Sequence, residues 1–524
     1  MAQWNKSTQA YRAQDTTNFE VVMLANQYGD VAGATETATA RSAFGETVVV
    51  PITPVVQLDA LYGLDTNDFD VFNFNGTATT ENHTFKVGAD STANSYGVIR
   101  SKRFVRYRPG QGALARFTAS FTATDGLGPT GFTQRAGFFN QEQALQIGFN
   151  TDGKFGILRA NGGKAHIHEF TFSAFPNATV TVQINGTSFT AVAVAGGSIA
   201  ANIAALAAGL QQETLFNALY IVEYDETKIR FLATSLGPQN GTNSVTGTGV
   251  VATSNHLQLG VAQTENWVYQ EDFNLDTLDG NGPSGVLLDH TKLNVYQINF
   301  RWLGAGEMRY AVENPINGDM IFFHHEHYSN QYIVSHLDNP SMKIGYVAAN
   351  LGGGTESVTV RGASMLGAIE GELVITTNPQ ALVASRSSLN SNTQEIFHMF
   401  SVKNKLIIQN KINTRDILIR SISSACSATA GQPATVYVYS SPSIPNLAWT
   451  DTGEFKPSMI AKNEVIITNP PEPIAVFTLA AGGPLNIDVS SLNMKIPPQG
   501  YLSFGISATG NMTGATISAN VIEV

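Results

Sequence analysis

Phe322-Phe-His-His-Glu-His-Tyr328 packs three histidines and a glutamate into one short run. On an extended backbone His325 and His327 fall on one face at i, i+2, a spacing at which two imidazoles can chelate a metal ion, while His324 and Glu326 fall on the other. The run is not His-Glu-x-x-His and reads as a strand, and a histidine-rich strand face at a subunit contact needs no metal, which is the preferred reading. A second candidate is the turn Leu275-Asp-Thr-Leu-Asp-Gly-Asn-Gly-Pro-Ser-Gly285, with Asp289 shortly after it. Asp276, Asp279 and Asp289 could hold calcium through hard oxygen ligands, or could simply cap turns by bonding their own backbone. The chain shows no Gly-x-Ser-x-Gly elbow, no phosphate loop and no zinc-spaced Cys/His set, so no catalytic residue and no cofactor is assigned. Carboxylates paired in space, as glycoside hydrolysis requires, leave no trace in a single sequence.

These residues have to be placed by strands. Leu293-Asn-Val-Tyr-Gln-Ile-Asn-Phe-Arg-Trp-Leu-Gly304 alternates strictly. Tyr296, Ile298, Phe300 and Trp302 point one way, and Val295, Gln297, Asn299 and Arg301 the other, as in an antiparallel two-layer sandwich. Strands are expected at Lys102–Tyr107, Ala113–Phe121, Gln134–Phe139, Ala144–Phe149 and Lys154–Arg159, the last two joined by the turn Asn150-Thr-Asp-Gly153. A different texture runs over 170–262. There Thr179–Ile184 and Thr187–Val194 flank an Asn185-Gly186 turn, and Ser198 caps a helix carrying Ile199, Ile203, Leu206 and Leu210 at helical spacing. Strands at Leu219–Glu223 and Ile229–Ala233 complete an α+β unit. The expected organisation is an extended N-terminal arm over 1–55, a lectin-like β-sandwich over 56–169 and 263–376, an inserted α+β domain over 170–262, a linker over 377–392 and a C-terminal jelly-roll-like β-sandwich over 393–524. In the last, strands are expected at Lys405–Gln409, Asp416–Ser423, Thr435–Tyr439, Asn463–Thr468, Ile474–Leu479 and Tyr501–Ser507. The fold class is mainly β.

Composition narrows the function. Charged residues make up 14% of the 524 residues, against about 25% in ordinary soluble proteins. Mean hydropathy is only −0.03, so small neutral residues, not greasy ones, replace the missing charge. Such a surface is cheap to desolvate against copies of itself. The net charge of −11 argues against sequence-independent nucleic-acid binding, and after Arg420 the cations are Lys456, Lys462 and Lys495 alone. The local basic cluster Arg100-Ser-Lys-Arg-Phe-Val-Arg-Tyr-Arg108 is read as one solvated or interface face. One cysteine, Cys426, permits no intrachain disulfide. With no apolar signal core and no membrane-spanning stretch, the expectation is synthesis in a reducing cytoplasm, without membrane insertion.

Ser101-Lys-Arg-Phe-Val-Arg-Tyr-Arg-Pro-Gly-Gln-Gly-Ala-Leu-Ala-Arg-Phe-Thr118, Leu278-Asp-Gly-Asn-Gly-Pro-Ser-Gly285, Tyr296–Gly304 and Met342-Lys-Ile-Gly-Tyr-Val-Ala-Ala349 together resemble a family of virion structural proteins of tailed phages and large, mostly aquatic, DNA viruses. Ser42-Ala-Phe-Gly45, Trp449-Thr-Asp451 and Leu485-Asn-Ile-Asp-Val489 fit the same likeness. The resemblance implies a non-enzymatic structural protein that assembles as an oligomer on the virion exterior, as a fibre, spike or capsid-decorating protein. Three copies is the number common among fibres and spikes. Its partners would be itself and other capsid or tail proteins. A receptor-binding tail protein recognising host cell-surface glycan is the alternative; an exposed Trp449 would favour it, although a core tryptophan is the commoner use.

Overall fold

The computed structural model describes residues 2–5, 10–13, 51–192, 197–371, 379–389, 395–428, 433–444, 447–479, 484–508 and 512–523. Ser42–Gly45 and most of the expected N-terminal arm lie outside them. The chain divides into a small unit, residues 1–52 with 370–372, and a large one holding the rest. In the small unit Ala2–Asn5 pairs antiparallel with Ala10–Ala13, and Gly371 N donates to Pro51 O at 2.8 Å.

The large unit is mainly β. Its first sandwich faces a seven-stranded sheet with a six-stranded one. The seven strands run, in order, Thr264–Tyr269, Phe155–Asn161, Ala144–Phe149, Phe132–Phe139, Lys343–Asn350, Tyr96–Ser101 and Phe69–Phe74. The six-stranded sheet centres on Asn294–Arg301, between Met308–Glu313 and Gly112–Ala119. The alternation at 296–302 has the expected result. Tyr296, Ile298 and Phe300 are buried, and Phe300 meets Phe138 of the opposite sheet edge-on at 5.6 Å. Gln297, on the other face, is buried too, because Arg116 Nε donates to its Oε1 at 2.9 Å.

The α+β segment has its own core. The helix Ile199–Leu210, capped by Ser198 Oγ accepting from Ala201 N at 3.2 Å, packs Ile203, Leu206 and Leu210 with Phe170, Val182, Phe189 and Phe231. Its larger sheet runs Tyr220–Tyr224, Lys228–Leu236, Ala165–Ala174, Val251–Gln258. The strand Ala165–Ala174 therefore starts before residue 170, where the insert was expected to begin.

The C-terminal sandwich joins a sheet built on Met512–Glu523 and Ile417–Ala428 to one built on Phe397–Asn404, Tyr501–Ala508 and Ala434–Ser440. Phe400 and Phe504 stack at 4.5 Å in its core. Several expected boundaries shift. Within the expected linker, Gln380–Leu389 is a strand paired with Met512–Glu523, burying Leu382 and Ala384. Lys102–Tyr107 is not a strand. The ladder ends at Ser101, whose Oγ donates to Arg103 O at 2.7 Å and diverts the backbone. Lys405–Gln409 becomes a miniature hairpin, Ile407–Ile408 with Lys411–Ile412, turning through Gln409 and Asn410 at positive φ. Asn463–Thr468 contributes only an isolated bridge, Ile466 to Phe397.

Candidate functional site

The aspartates around the turn bond their own neighbouring backbone and side chains. Asp276 is buried, its Oδ1 accepting from Leu278 N and its Oδ2 from Ser284 N, both at 2.8 Å. Asp279 Oδ1 accepts from Asn281 N and Thr277 Oγ1, and Asp289 Oδ1 from Thr291 N and Oγ1. These are turn caps, and hydrogen bonds to the ionised form hold Asp279 and Asp289 below the ordinary carboxylate range. The three aspartates do not converge on one point in the way a calcium cage requires.

Among the described residues, two sets of three side chains bring one ligand-capable atom each within 4.8 Å of one another. The first contains His325 and His327, from the strand Met320–Glu326 and the residue after it, and adds Glu307 from the neighbouring turn. The two imidazole rings lie 4.0 Å apart, and His325 Nε2 is 2.7 Å from Glu307 Oε2. Burial works to raise the Glu307 carboxyl, but Arg309 and His325 beside it prevail and hold it below its usual range. Arg309 Nη2 already takes Glu307 Oε1 at 2.5 Å, so this carboxylate meets a cation with half its capacity spent. The other face of the strand is occupied separately. His324 is buried, pulled down to about 4 by that burial, and accepts from Asn274 N at 3.3 Å. Glu326 Oε1 pairs with Arg159 Nε at 2.6 Å.

The second set is His166, His168 and His256, which sequence reading passed over. Its one local signal was the i, i+2 pair His166-Ile-His168, the same spacing as 325/327; the third member lies far along the chain, and only strand pairing brings it in. His168 stands directly opposite His256 in the ladder between Ala165–Ala174 and Val251–Gln258. His166 Nε2 lies 3.1 Å from His256 Nδ1, and His168 Nε2 lies 3.0 Å from Ser254 Oγ. His166 and His168 are buried while His256 is exposed. Burial, then the neighbouring imidazoles, pulls His168 down to about 4, and the same causes lower His166.

A cleft of about 800 Å³ opens over the outer face of the seven-stranded sheet. Its floor carries Phe72, Val98, Arg135, Phe139 and Gln146, and its roof is the insert, through Leu215, Leu219, Ile221 and Leu236. Tyr96 Oη ties floor to roof by donating to Ala218 O at 3.2 Å. Alternation explains the floor: on Phe132–Phe139, Ala136 and Phe138 go to the core, leaving Arg135 and Phe139 outward. Three buried donors at this cleft have no partner among the described residues: Arg135 Nε, Gln143 Nε2 and Gln146 Nε2. The Gln143 amide is oriented by Asn339 N donating to its Oε1 at 2.9 Å, which aims the NH₂ elsewhere. The cleft's one carboxylate, Glu265, is taken by Arg135 Nη1 and Trp267 Nε1. Trp449 is not exposed. At 2% accessibility it packs with Ile444, Leu447 and Met459. The basic segment is likewise spread over several contacts: Arg100 pairs with Asp70 at 3.2 Å, Lys102 Nζ donates to Thr66 O, and Arg106 lies in the field of Arg415, Glu523 and Asp416.

No protein-family model matches the sequence, and no curated protein matches it. Solved structures similar to this chain include an endo-β-1,4-glucuronan lyase from the fungus Trichoderma reesei, at 8% identity and TM-score 0.24, covering 61% of this chain and 96% of that one. Peanut lectin in complex with a 9-mer peptide is similar at 11% identity and TM-score 0.24, over 63% and 100%. Arcelin-5, a lectin-like defense protein from Phaseolus vulgaris, gives 9% and 0.22, over 62% and 99%. Likeness at this level carries no argument about ligand or reaction; the β-sandwich class rests on the sheets themselves.

Proposed function

We propose that this chain is a structural protein of a virus particle, assembling as a homo-oligomer on the virion exterior. The observation that carries the reading is the loop after the histidine strand. Tyr332, Ile333 and Val334 are 57%, 105% and 65% exposed in succession. Leu303, 71% exposed, sits on the turn to which the same loop is tied by His336 N donating to Gly304 O at 3.1 Å. Large apolar side chains displayed together in this way need a cover. A second copy of a charge-poor chain supplies one with little desolvation cost, which is how fibres, spikes and capsid decorations hold together. The resemblance in the motifs at 101–118, 278–285, 296–304 and 342–349 supplies the virion context. Light scattering and native mass spectrometry of the purified chain test the assembly: a closed oligomer, three copies by this reading, is expected, and Ile333→Asp should shift it toward monomer. Gold-tagged antibody to the C-terminal sandwich should decorate intact particles. Absence of label, or a monomer at all concentrations, overturns the proposal.

The cleft favours a second reading, receptor binding. A floor that sets Phe72, Phe74 and Phe139 beside Arg135 Nε and Gln146 Nε2, which have no partner among the described residues, suits a ligand with a flat apolar face and acceptor oxygens, as a sugar ring has. Glycan-array binding that disappears in Gln146→Leu would promote this reading over a purely structural one.

A further inference from the structure

We propose that His166, His168 and His256 form a binding site for a divalent transition-metal ion, zinc by the nature of the ligands, that staples the two strands through which the chain enters and leaves the insert. Three imidazoles and no thiolate or free carboxylate make a nitrogen-only set suited to zinc, copper or nickel and poorly suited to calcium or magnesium. The spacing fits. Two nitrogens bound to a tetrahedral zinc at its usual bond length of roughly 2.05 Å stand about 3.3 Å apart, and His166 Nε2 and His256 Nδ1 are 3.1 Å apart. His168 is fully buried, with one ring nitrogen against Ser254 Oγ and the other, Nδ1, without a partner among the described residues. One nitrogen held by a hydrogen bond and one left bare is how a metal-ligating imidazole is set up.

The backbone is adapted to the cluster. The ladder carries an irregularity between Ile167 and His168, which re-aims the two side chains. Beyond the strand, Gly260 passes so close that a Cβ there would lie 1.9 Å from Gly237 O and 3.3 Å from the His166 Cβ. His168 rests edge-on against Phe170 at 4.6 Å, giving the site a dry floor. His256 is on the solvent side, so an ion has an entry path and an open fourth position for water or a donor from elsewhere. One contact must change. Gly260 N approaches His166 Nδ1 at 3.4 Å, and that nitrogen carries the proton once Nε2 is bound to metal. The Glu307, His325 and His327 set is the weaker competitor, because Arg309 already occupies its carboxylate.

The test is zinc titration of tag-free, chelator-stripped full-length chain, read by calorimetry and by the visible absorption of cobalt(II) substituted for zinc. About one equivalent bound in a tetrahedral cobalt spectrum is expected. His256→Ala, an exposed position that should leave folding intact, should weaken binding at least about a hundredfold, and Ser254→Ala roughly tenfold. The double variant His325→Ala/His327→Ala should retain the equivalent. No binding by the parent chain, meaning a purely hydrogen-bonded trio, overturns the proposal. So does binding that survives His256→Ala and disappears in the double variant.

Discussion

His398 occupies the core of the C-terminal sandwich with both ring nitrogens used. Asn463 O can only accept, so Nδ1 carries the proton at 2.8 Å. Nε2 then accepts from Ser401 Oγ at 2.8 Å, and Ser401 Oγ accepts in turn from Ser503 at 2.6 Å. A second proton on Nε2 requires Ser401 Oγ to turn from donor to acceptor and to donate to Ser503 instead. Burial, eased by the Asn463 bond and reinforced by Arg386, lowers His398 to about 4. The unfolded chain, titrating near the ordinary 6.5, therefore binds a proton that the folded chain refuses. Stability is present in full above pH 6.5 and is lost as pH falls toward 4, by up to about 3 kcal/mol for this residue. His168, His290, His324 and His336, also lowered to about 4 by burial, act in the same direction. Urea midpoints measured from pH 7 to 4.5 should fall steadily. His398→Gln should be less stable at pH 7 and have a flatter profile; parallel profiles would refute the assignment.

At the scale of elements, the first sandwich depends on places where backbones touch. Gly97, on Tyr96–Ser101, has Thr77 O 2.1 Å and Gly88 O 3.0 Å from where a Cβ would sit. Those atoms belong to Gly76–Glu81 and Thr84–Ala89, which are rigidly paired and cannot yield as a flexible side-chain end would. Gly97→Ala should therefore destabilise by about 1–3 kcal/mol, visible in a denaturant midpoint, whereas a substitution at an open surface position should not. Such constraints separate what could be read from the sequence from what could not. Asn150-Thr-Asp-Gly153 and Asn185-Gly186 were legible because hairpin turns use local chemistry, and both give the paired strands expected. The helix Ile199–Leu210 was legible from its cap and apolar spacing. Gln380–Leu389 was not, because Ser385-Arg-Ser-Ser388 looks like a linker until Met512–Glu523 pairs with it. The same non-locality concealed His256 opposite His168, and Glu307 beside His325. Side-chain patterns report faces, whereas only the ladder reports neighbours.

At the scale of the molecule, the insert is a joint. It interrupts the first sandwich and holds the second. Ala165, Ile167 and Leu232 of its larger sheet bury against Leu406 and Ile407. Glu223, buried and raised by that burial, accepts from Leu406 N at 2.5 Å. Lys403 lies 5.2 Å from the ring of Tyr224 and 5.5 Å from that of Trp449, and Thr450 Oγ1 donates to Glu226 at 2.6 Å. Contacts this varied, with Glu223 and Lys403 buried among them, should couple the unfolding of insert and C-terminal sandwich, because a buried carboxylate or ammonium left without its partner costs several kcal/mol. Calorimetry of the full chain is expected to show the two melting together. Leu232→Asp places a charge in the apolar contact while sparing the helix-packed core, and should split off a separate transition for the C-terminal sandwich. Leu206→Ala, inside the insert's own core, should instead lower the shared transition by about 2–5 kcal/mol without splitting it. If both variants merely lower one transition, the contact is not the joint. If the parent chain already melts in separate steps, the two parts are coupled only by the chain that links them.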